Sequence, residues 1–214
     1  MSKLLKKIAF RGELELITGL HIGDSSENVQ IGGVDKVVVR RRDNGQPYIP
    51  GSSLKGKIRS LLEQSEGAIA VGASKGHINK IFGFAKDNLP SKLIVRDAYL
   101  TKDSAELLKK SDFLDYPFTE VKFENSIQRL RGIAENPRKI ERVPAGAKFA
   151  VEIILNVWEN DLEEEYIEVL RKGILLLHAD YLGGNGSRGY GQVELTLDLT
   201  TPVILYENKD VADA

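Results

Sequence analysis

The chain has 214 residues, of which 42% are hydrophobic and 29% are charged, and it contains no cysteine. This length suits one domain of generous size, or one domain with sizeable insertions. The lack of cysteine excludes disulfides, thiol catalysis and thiolate metal sites, and it favours a reducing cytoplasm. No apolar run reaches the roughly 18 residues of a spanning helix, and the first residues lack a secretory signal, so we expect no membrane partner.

The net charge of −1 at pH 7 conceals an uneven distribution along the chain. Between Lys36 and Arg59 there are seven basic residues and one acid, whereas Glu159–Glu168 contains six acids and no base. Such a division would let one face of the protein bind phosphate while the other faces do not. Two solvated faces without any partner explain the charges equally well.

The first third of the chain predicts two strands, a long loop and a helix. Alternation of apolar and polar residues over 7–17 predicts a half-buried strand. A glycine-bearing loop follows over about 18–33, and a short strand over 37–39 ends in three arginines. A helix then begins at a pair of serines, Ser52 and Ser53, either of which can cap it.

The remaining elements alternate between strands, helices and insertions. Residues 65–90 are rich in glycine, alanine and serine, and residues 125–143 are polar with isolated apolar side chains, as in a projecting arm. The other predicted elements are strands within 93–100, 119–123, 147–158 and 192–199, and helices at 104–110 and 161–178. This order predicts an α+β, ferredoxin-like or RRM-like sandwich. We expect a single domain over 1–214, with insertions at about 18–33, 65–90 and 125–143.

Five glycines lie within the nine residues from Gly183 to Gly191. Glycine lets a backbone approach a ligand closely and turn its amides outward, as loops that cradle phosphate do. Arg188 can donate two hydrogen bonds to a phosphate, and Tyr190 can stack on a base. The loop follows a helix and precedes a strand, which is the reverse of a dinucleotide-binding fingerprint. A merely flexible connection is the alternative interpretation.

The start of the first helix is a second candidate site, because Ser52, Ser53, Lys55 and Arg59 lie together there. A helix N-terminus presents free N–H groups and the positive end of the helix dipole. Lys55 and Arg59 are one turn apart and are expected to face outward beside the buried stripe. The pattern therefore predicts a seat for RNA phosphate, and an ordinary capped surface helix is the alternative.

Asp35 and His21 are the candidate catalytic side chains. Asp35 follows Gly32 and Gly33 and precedes a strand, so its carboxylate is well placed to face a ligand, although turn capping explains it as well. His21 lies in the preceding loop, and a lone histidine is more often structural than catalytic. No cluster of His and Cys and no close pair of carboxylates in the sequence predicts a zinc or calcium site.

Several segments together resemble the repeated backbone subunits of type III-A CRISPR effector complexes, which belong to the RAMP superfamily. The matching segments follow in order along nearly the whole chain, and the long ones are specific. They are Thr18–Gly23, Ile31–Asp35, Tyr48–Arg59, Glu120–Asn125, Asn136–Arg142 and Asp180–Gly191.

The resemblance implies a function for these segments. In that family several copies stack along a CRISPR RNA, an arm from each copy kinks the guide–target duplex, and an aspartate cuts the target RNA beside each kink. Here that aspartate corresponds to Asp35, and the arm corresponds to 125–142. The implied RNA-binding residues are His21, Ser52, Ser53, Lys55, Arg59, Arg129, Gly183, Gly184, Gly186, Ser187, Arg188 and Gly189.

The resemblance also implies partners and chemistry. The partners are the CRISPR RNA guide, complementary target RNA, further copies in a filament and other subunits of the Csm complex. The reaction is attack of a 2′-hydroxyl on the adjacent phosphate, with Asp35 as a base or as a ligand of Mg²⁺ or another divalent cation. An ordinary aspartate is too acidic to be an efficient base at neutral pH, which favours metal binding. The alternatives are an RNA-coating subunit without catalysis and a guide-processing endoribonuclease with a histidine base.

Overall fold

The computed structural model describes residues 2–24, 34–70 and 77–208. The strands are β1 (Leu4–Leu16), β2 (Tyr48–Ile49), β3 (Leu93–Val95), β4 (Ala98–Leu100), β5 (Glu120–Gln128), β6 (Ile133–Arg142), β7 (Lys148–Trp158), β8 (Val193–Leu197) and β9 (Val203–Glu207). The α-helices are α1 (Gly51–Ser65), α2 (His77–Phe82), α3 (Lys102–Lys109) and α4 (Glu163–His178).

One antiparallel sheet organises the fold, in the spatial order β2–β4–β7–β1–β8. β3 also pairs with β7, and β9 also pairs with β1. The chain order β1, α1, β4, β7, α4, β8 on this sheet is the split βαβ arrangement of ferredoxin-like folds. The predicted α+β, ferredoxin-like architecture is therefore confirmed.

The central strands β1 and β7 carry the core of this sheet. Phe10 lies opposite Ile153 and Leu14 lies opposite Phe149, and all four side chains are buried. Alternation in the sequence predicts this buried face for β1. Burying side chains of this kind contributes roughly 1.5–3 kcal/mol each relative to leaving them exposed.

The helices cover the sheet and pack closely on one another. A Cβ atom added at Gly173 of α4 would lie 2.5 Å from the Cγ2 atom of Ile58 in α1, so the two helices need glycine at this point. α2 lies within the predicted second insertion, yet Ile78, Ile81 and Phe82 are buried in the same core. Among the described residues, no helix is long and apolar enough to cross a membrane.

The first turn of α1 differs from the prediction. The helix begins at Gly51 with Pro50 as its N-cap and no side-chain cap, so the prediction that Ser52 or Ser53 caps it is wrong. The amide of Gly51 instead donates to a carboxylate oxygen of Asp97 at 2.8 Å. A contact from a distant turn thus replaces the local cap.

The predicted arm is a two-stranded hairpin of β5 and β6. A bulge interrupts its ladder, and Asn136 there adopts a left-handed conformation with φ of 53°. The far part of the arm is exposed, whereas Ile140, Glu141 and Val143 at its base are buried. The predicted range 125–143 therefore reaches into the core, and only the part beyond the base projects.

The sequence analysis does not predict β9, whose five residues are all exposed. Asp198 holds the turn before β9, since its carboxylate accepts hydrogen bonds from the amides and hydroxyls of Thr200 and Thr201. These bonds hold the pKa of the Asp198 carboxyl far below its ordinary value. After β9, the amide of Asn208 donates to the carbonyl of Leu5 at 2.8 Å.

Candidate functional site

Asp35 lies at the base of the arm, beside β6. Its amide donates to the carbonyl of Lys139 at 3.0 Å, and its Oδ2 atom accepts a hydrogen bond from the amide of Lys139 at 2.7 Å. Lys36 continues this contact through a parallel bridge to Ile140. The arm therefore holds the carboxylate of Asp35 in place. Because Asp35 is also exposed, this carboxylate is open to a ligand. The preceding glycines, residues 32 and 33, lie outside the described residues.

A buried carboxylate, Glu141, ties the segment that carries Asp35 to β6. Its Oε2 atom accepts a hydrogen bond from the amide of Val38 at 2.8 Å. Its Oε1 atom accepts one from Nη2 of Arg40 at 2.5 Å and one from the Thr119 hydroxyl at 2.6 Å. Three donors from three different positions meet on this one buried carboxylate, so the network holds the segment firmly.

His21 lies beneath the glycine loop and is 6% exposed. Its Nδ1 atom is 2.7 Å from the carbonyl oxygen of Glu141, and its own carbonyl accepts the amide of Gly184 at 2.9 Å. A ring covered in this way offers RNA almost no surface. The ring of His21 is therefore held within the fold, and the structure gives no support to its predicted RNA contact or to a histidine base for guide processing.

Lys55 does not face outward as predicted. Its Nζ atom donates to the Ser91 hydroxyl at 2.5 Å and to the carbonyl of Leu93 at 2.9 Å. Burial, and secondarily the charge of Arg59, lower the pKa of the Lys55 ammonium below its ordinary value. The bonds to Ser91 and Leu93 engage two of the three donors of the ammonium, so the structure gives no support to the predicted phosphate contact of Lys55.

Arg59 is also held by groups of its own chain. Its Nε donates to Oε1 of Glu63 at 2.8 Å, its Nη1 to the carbonyl of Gly83 at 2.9 Å, and its Nη2 to Oδ1 of Asn79 at 3.2 Å. These bonds join α1 to α2 and to the turn after α2. Arg59 therefore connects two helices and does not face outward as predicted, so the structure gives no support to its predicted phosphate contact.

Replacing Arg59 with alanine is expected to lower the free energy of unfolding by about 2 kcal/mol, because three hydrogen bonds of a partly buried cation are lost. For a chain of this length, the melting temperature should fall by about 4–8 °C. Gln64→Ala, an exposed position on the same helix, is the matched control and should change stability by less than about 0.5 kcal/mol. Thermal melts measure both variants, and filter binding should show unchanged RNA affinity. Weaker RNA binding with a normal melt would restore Arg59 as a phosphate contact.

The basic stretch offers less free charge than the sequence indicates. Five of its seven cations are engaged within the chain, namely Arg40, Arg41, Lys55, Lys57 and Arg59. Lys36, next to Asp35, is exposed, and so is the side chain of Arg42, which lies 4.0 Å from Asp24. Counting basic residues therefore overstates the positive charge that this stretch presents to RNA.

The inner side of the glycine loop packs tightly on the fold. A Cβ atom added at Gly186 would lie 2.0 Å from the ring of Tyr181, and one added at Gly183 would lie 2.4 Å from the carbonyl oxygen of His21. Real Cβ atoms do not approach so closely, so these glycines are needed for packing within the protein. The sequence does not distinguish this need from close approach to a ligand.

The outer side of the glycine loop is formed by Gly184, Ser187, Arg188 and Gly189, which are all exposed. The amides of Gly184, Arg188 and Gly189 donate to carbonyl groups of the protein. The predicted cradle of outward amides is therefore smaller than the glycine count indicates. Nη1 of Arg188 lies 3.1 Å from Oδ1 of Asn185, and this exposed guanidinium remains the predicted phosphate ligand of the loop.

Tyr190 follows the loop and is 1% exposed. Nζ of Lys122 lies over its ring at 4.3 Å from the ring centre, and Cζ of Arg142 lies at 5.1 Å. The prediction that Tyr190 stacks on a base is therefore wrong, because protein covers the ring. Burial, and then the neighbouring carboxylate of Glu124, raise the pKa of Tyr190 above its ordinary value.

The arm carries exposed apolar and basic side chains together. Leu130 at its tip is 99% exposed, and Ile127 and Ile133 are also exposed. Arg129 and Arg131 flank the tip and are exposed as well. Apolar side chains in this position have no core of their own to enter, so they need an outside surface. Arg129 remains the predicted RNA contact of the arm.

The described ranges contain no group of three or more His, Cys, Asp or Glu side chains that could hold a metal ion. Asp35 offers a single carboxylate, and one of its oxygens already accepts the amide of Lys139. Mg²⁺ commonly takes one or two protein carboxylates and completes its shell with water and substrate phosphates. The residues present therefore fit a cation that RNA would help to hold, and they do not fit a metal centre built by this protein alone.

Comparison with known proteins gives one family. A sequence model of the RAMP superfamily matches residues 13–194. The chain belongs to the RAMP superfamily. Similar members carry the name CRISPR system Cms endoribonuclease Csm3. The protein from Enterococcus italicus is 40% identical over 210 residues, which cover 94% of this chain and 95% of the relative. The one from Streptococcus thermophilus is 42% identical over 195 residues, covering 87% and 86%.

Solved structures share the fold of this RAMP protein. A chain from the Csm3–Csm4 subcomplex of the type III-A CRISPR-Cas interference complex is 31% identical and aligns with a TM-score of 0.59, covering 99% of this chain and 84% of that chain. A chain of the type III-B Cmr-beta complex bound to cognate target RNA aligns with a TM-score of 0.64 at 18% identity, covering 93% and 61%. At that identity the second likeness supports the fold alone.

Sequence reasoning missed residues on which this RAMP site depends. The pair of half-buried Arg40 and buried Glu141 joins positions 101 residues apart, and the contact of Lys122 with Tyr190 also connects distant segments. Glu141 gives no local signal, because it is one of many charged residues in its segment and lies between Ile140 and Arg142. Long-range pairs of this kind follow from the tertiary fold and leave no periodic pattern in the sequence.

Proposed function

We propose that this chain is a guide-binding backbone subunit of a type III-A CRISPR effector complex and an endoribonuclease that cuts complementary target RNA at regular intervals. Its partners are then the CRISPR RNA guide, the target RNA, further copies of itself and the other Csm subunits, in the cytoplasm. The support is 40% identity over most of the chain to a protein named a Csm3 endoribonuclease. Such a subunit needs only to bind the RNA backbone, because base pairing carries the sequence information.

One observation carries the catalytic part of the proposal: the exposed carboxylate of Asp35 is anchored by backbone bonds to the base of the arm. The tip of that arm presents Leu130 between Arg129 and Arg131. An apolar wedge with flanking arginines can open a base step at a cost of about a few kcal/mol. The same hairpin would then hold both Leu130 and the carboxylate of Asp35. The distance between a phosphate distorted by Leu130 and that carboxylate would therefore stay constant.

The proposed reaction is attack by a ribose 2′-oxygen on the adjacent phosphorus. The 2′-O–P bond forms as the P–O5′ bond breaks, the 2′-hydroxyl loses its proton and the 5′-oxygen gains one. The products are a cyclic phosphate and a 5′-hydroxyl. In-line geometry imposed by distorted RNA supplies much of the rate. Since Oδ2 of Asp35 accepts the Lys139 amide, Oδ1 is the atom that would take the proton or bind a divalent cation.

Assembly of the complex on a guide of known sequence tests this function. The chain is co-purified with its neighbouring subunits, the bound RNA is sequenced, and end-labelled complementary RNA is added with Mg²⁺. We expect guide RNA in the complex and cuts at a regular spacing in complementary RNA only. Tight binding of the target without cuts would reduce the chain to a structural RNA-coating subunit. A complex without bound guide would contradict the proposal as a whole.

Removing divalent cations with excess EDTA is expected to slow target cleavage at least about 100-fold, because the reacting phosphate would lose its Lewis acid. Adding Mg²⁺ back should restore the rate. Guide retention, measured on the same samples by gel filtration, should not change, and it separates loss of chemistry from loss of assembly. Full activity in excess chelator would remove the metal from the mechanism and leave Asp35 as a base.

A further inference from the structure

Tyr190 stands where the glycine loop meets the arm, and its ring faces two cations. The ring is buried, with Nζ of Lys122 4.3 Å and Cζ of Arg142 5.1 Å from its centre. The Tyr190 hydroxyl is buried and faces the carboxylate of Glu124. The attraction between the two cations and the ring also holds Tyr190 in place, and such attraction strengthens where water is excluded.

Both cations belong to the base of the arm, one on each strand. Lys122 lies on β5 opposite Ile140, and Arg142 lies on β6 opposite Glu120, to which its Nε donates at 2.6 Å. Nζ of Lys122 also lies 3.3 Å from the carbonyl oxygen of Arg188 in the glycine loop. The glycine loop and both strands of the arm are thus joined around one aromatic ring.

The strand that contacts Tyr190 is also the strand that holds Asp35. Lys139 precedes Ile140, the partner of Lys122, and its amide donates to Oδ2 of Asp35 at 2.7 Å. Two contacts of β6 therefore link the ring of Tyr190 to the candidate catalytic carboxylate. They are the pairing of Lys122 with Ile140 and the hydrogen bond from the Lys139 amide to Asp35. A shift of the arm base relative to the glycine loop would carry Asp35 with it.

We infer that Tyr190 is a positioning residue that locks the base of the arm to the glycine loop through Lys122 and Arg142, and so sets the place of Asp35 relative to bound RNA. The catalytic consequence rests on the proposed function. This lock, which consists of the contacts of Tyr190 with Lys122 and Arg142, is a property of the folded chain and is testable without RNA. A loop that binds the guide would in this way be connected mechanically to the residue that cuts the target.

Four substitutions separate the lock from simple packing. Tyr190→Phe keeps the ring and removes only the hydroxyl that faces Glu124, whereas Tyr190→Leu removes the aromatic face. Lys122→Met keeps an unbranched apolar side chain and removes the cation, whereas Lys122→Arg restores a cation that can lie over the ring. Tyr206→Leu on β9, a half-exposed tyrosine away from the arm, is the matched control for loss of a tyrosine ring.

Hydrogen exchange of the Lys139 amide in the isolated protein is the first measurement. We expect exchange at least about threefold faster in Tyr190→Leu and Lys122→Met, because the lock no longer opposes local opening of β6. Tyr190→Phe, Lys122→Arg and Tyr206→Leu should exchange as the unchanged protein does. Lys122→Met leaves the ring in place and also removes the contacts of Lys122 with Glu124 and with the carbonyl of Arg188, so it tests whether this cation holds β6 even if Tyr190→Leu fails to fold. Unchanged exchange in Lys122→Met would overturn the inference.

Single-turnover cleavage by the assembled complex is the second measurement. The rate at saturating target should fall about tenfold in Lys122→Met and recover in Lys122→Arg, because a modest loss of alignment changes a rate by this order. Guide and target affinities should stay unchanged. Equal losses of affinity and rate would make Lys122 an RNA contact and would overturn the positioning role. If the unchanged complex cuts no RNA, the proposed function fails, and the exchange result still decides whether the lock exists.

Discussion

Replacing Asp35 with alanine is expected to slow target cleavage at least about 100-fold, while guide and target binding stay nearly unchanged. The carboxylate is exposed, and its Oδ2 atom bonds to the backbone of β6, so its removal takes away a reacting group and leaves the predicted phosphate ligand Arg188 in place. Single-turnover cleavage of end-labelled target measures the rate, and filter binding measures the two affinities.

Alanine at this position also removes the acceptor of the Lys139 amide, so Asp35→Asn is the matched control. Asparagine keeps an acceptor oxygen and removes only the negative charge. Both variants should be inactive, and the asparagine variant should melt as the unchanged protein does. Cutting by Asp35→Asn at the original rate would eliminate both the base and the metal-ligand roles. A large loss of RNA binding in either variant would make Asp35 a binding residue.

Shortening the arm is the second change with a large expected effect. Replacing residues 127–134 with a two-residue Asn–Gly turn keeps the Ser126–Glu135 pair and the buried base of the hairpin. Target cleavage should fall at least about tenfold or lose its regular spacing, because no wedge would distort the RNA beside Asp35. Guide binding should persist. A cleavage ladder with end-labelled target RNA is the measurement.

The removed tip is exposed, so the shortened chain should unfold at nearly the same temperature as the full chain. Leu130→Ala tests the wedge alone, and Leu107→Ala, an exposed leucine on α3, is the control for loss of an exposed apolar side chain. A cleavage ladder unchanged by the shortened arm would show that the arm does not set the cutting geometry. A collapsed melt would show that the tip contributes to the core after all.

Periodic elements were predictable because one residue spacing determines which face is buried. Alternation over 7–17 places Ile8, Phe10 and Leu14 on the buried face of β1, and helical spacing places Leu54 and Ile58 on the buried face of α1. The exposed apolar tip of the arm was predictable for a related reason. Isolated apolar residues in a charged segment cannot form a core with their neighbours.

The direction of Lys55 and Arg59 was not predictable from the same spacing. A helical pattern shows that both side chains lie beside the buried stripe, and it does not show which distant groups lie there. Ser91 and Leu93 accept from Lys55, and they come from a segment more than 30 residues further along the chain. β9 escaped prediction because Val203–Tyr206 is a continuous apolar run, which lacks the alternation that marks a half-buried strand.

Pairing of β9 with the beginning of β1 brings both ends of the described chain to one edge of the sheet, where the amide of Asn208 meets the carbonyl of Leu5. The other end of β1 leads to Leu20, which bridges to Val143 at the base of the arm. The 13 residues of β1 therefore separate the two regions by roughly 40 Å. Fluorophores or affinity tags attached before β1 or after β9 should stay clear of Asp35, the candidate catalytic residue. A short linker between these ends would also make circular permutation practicable.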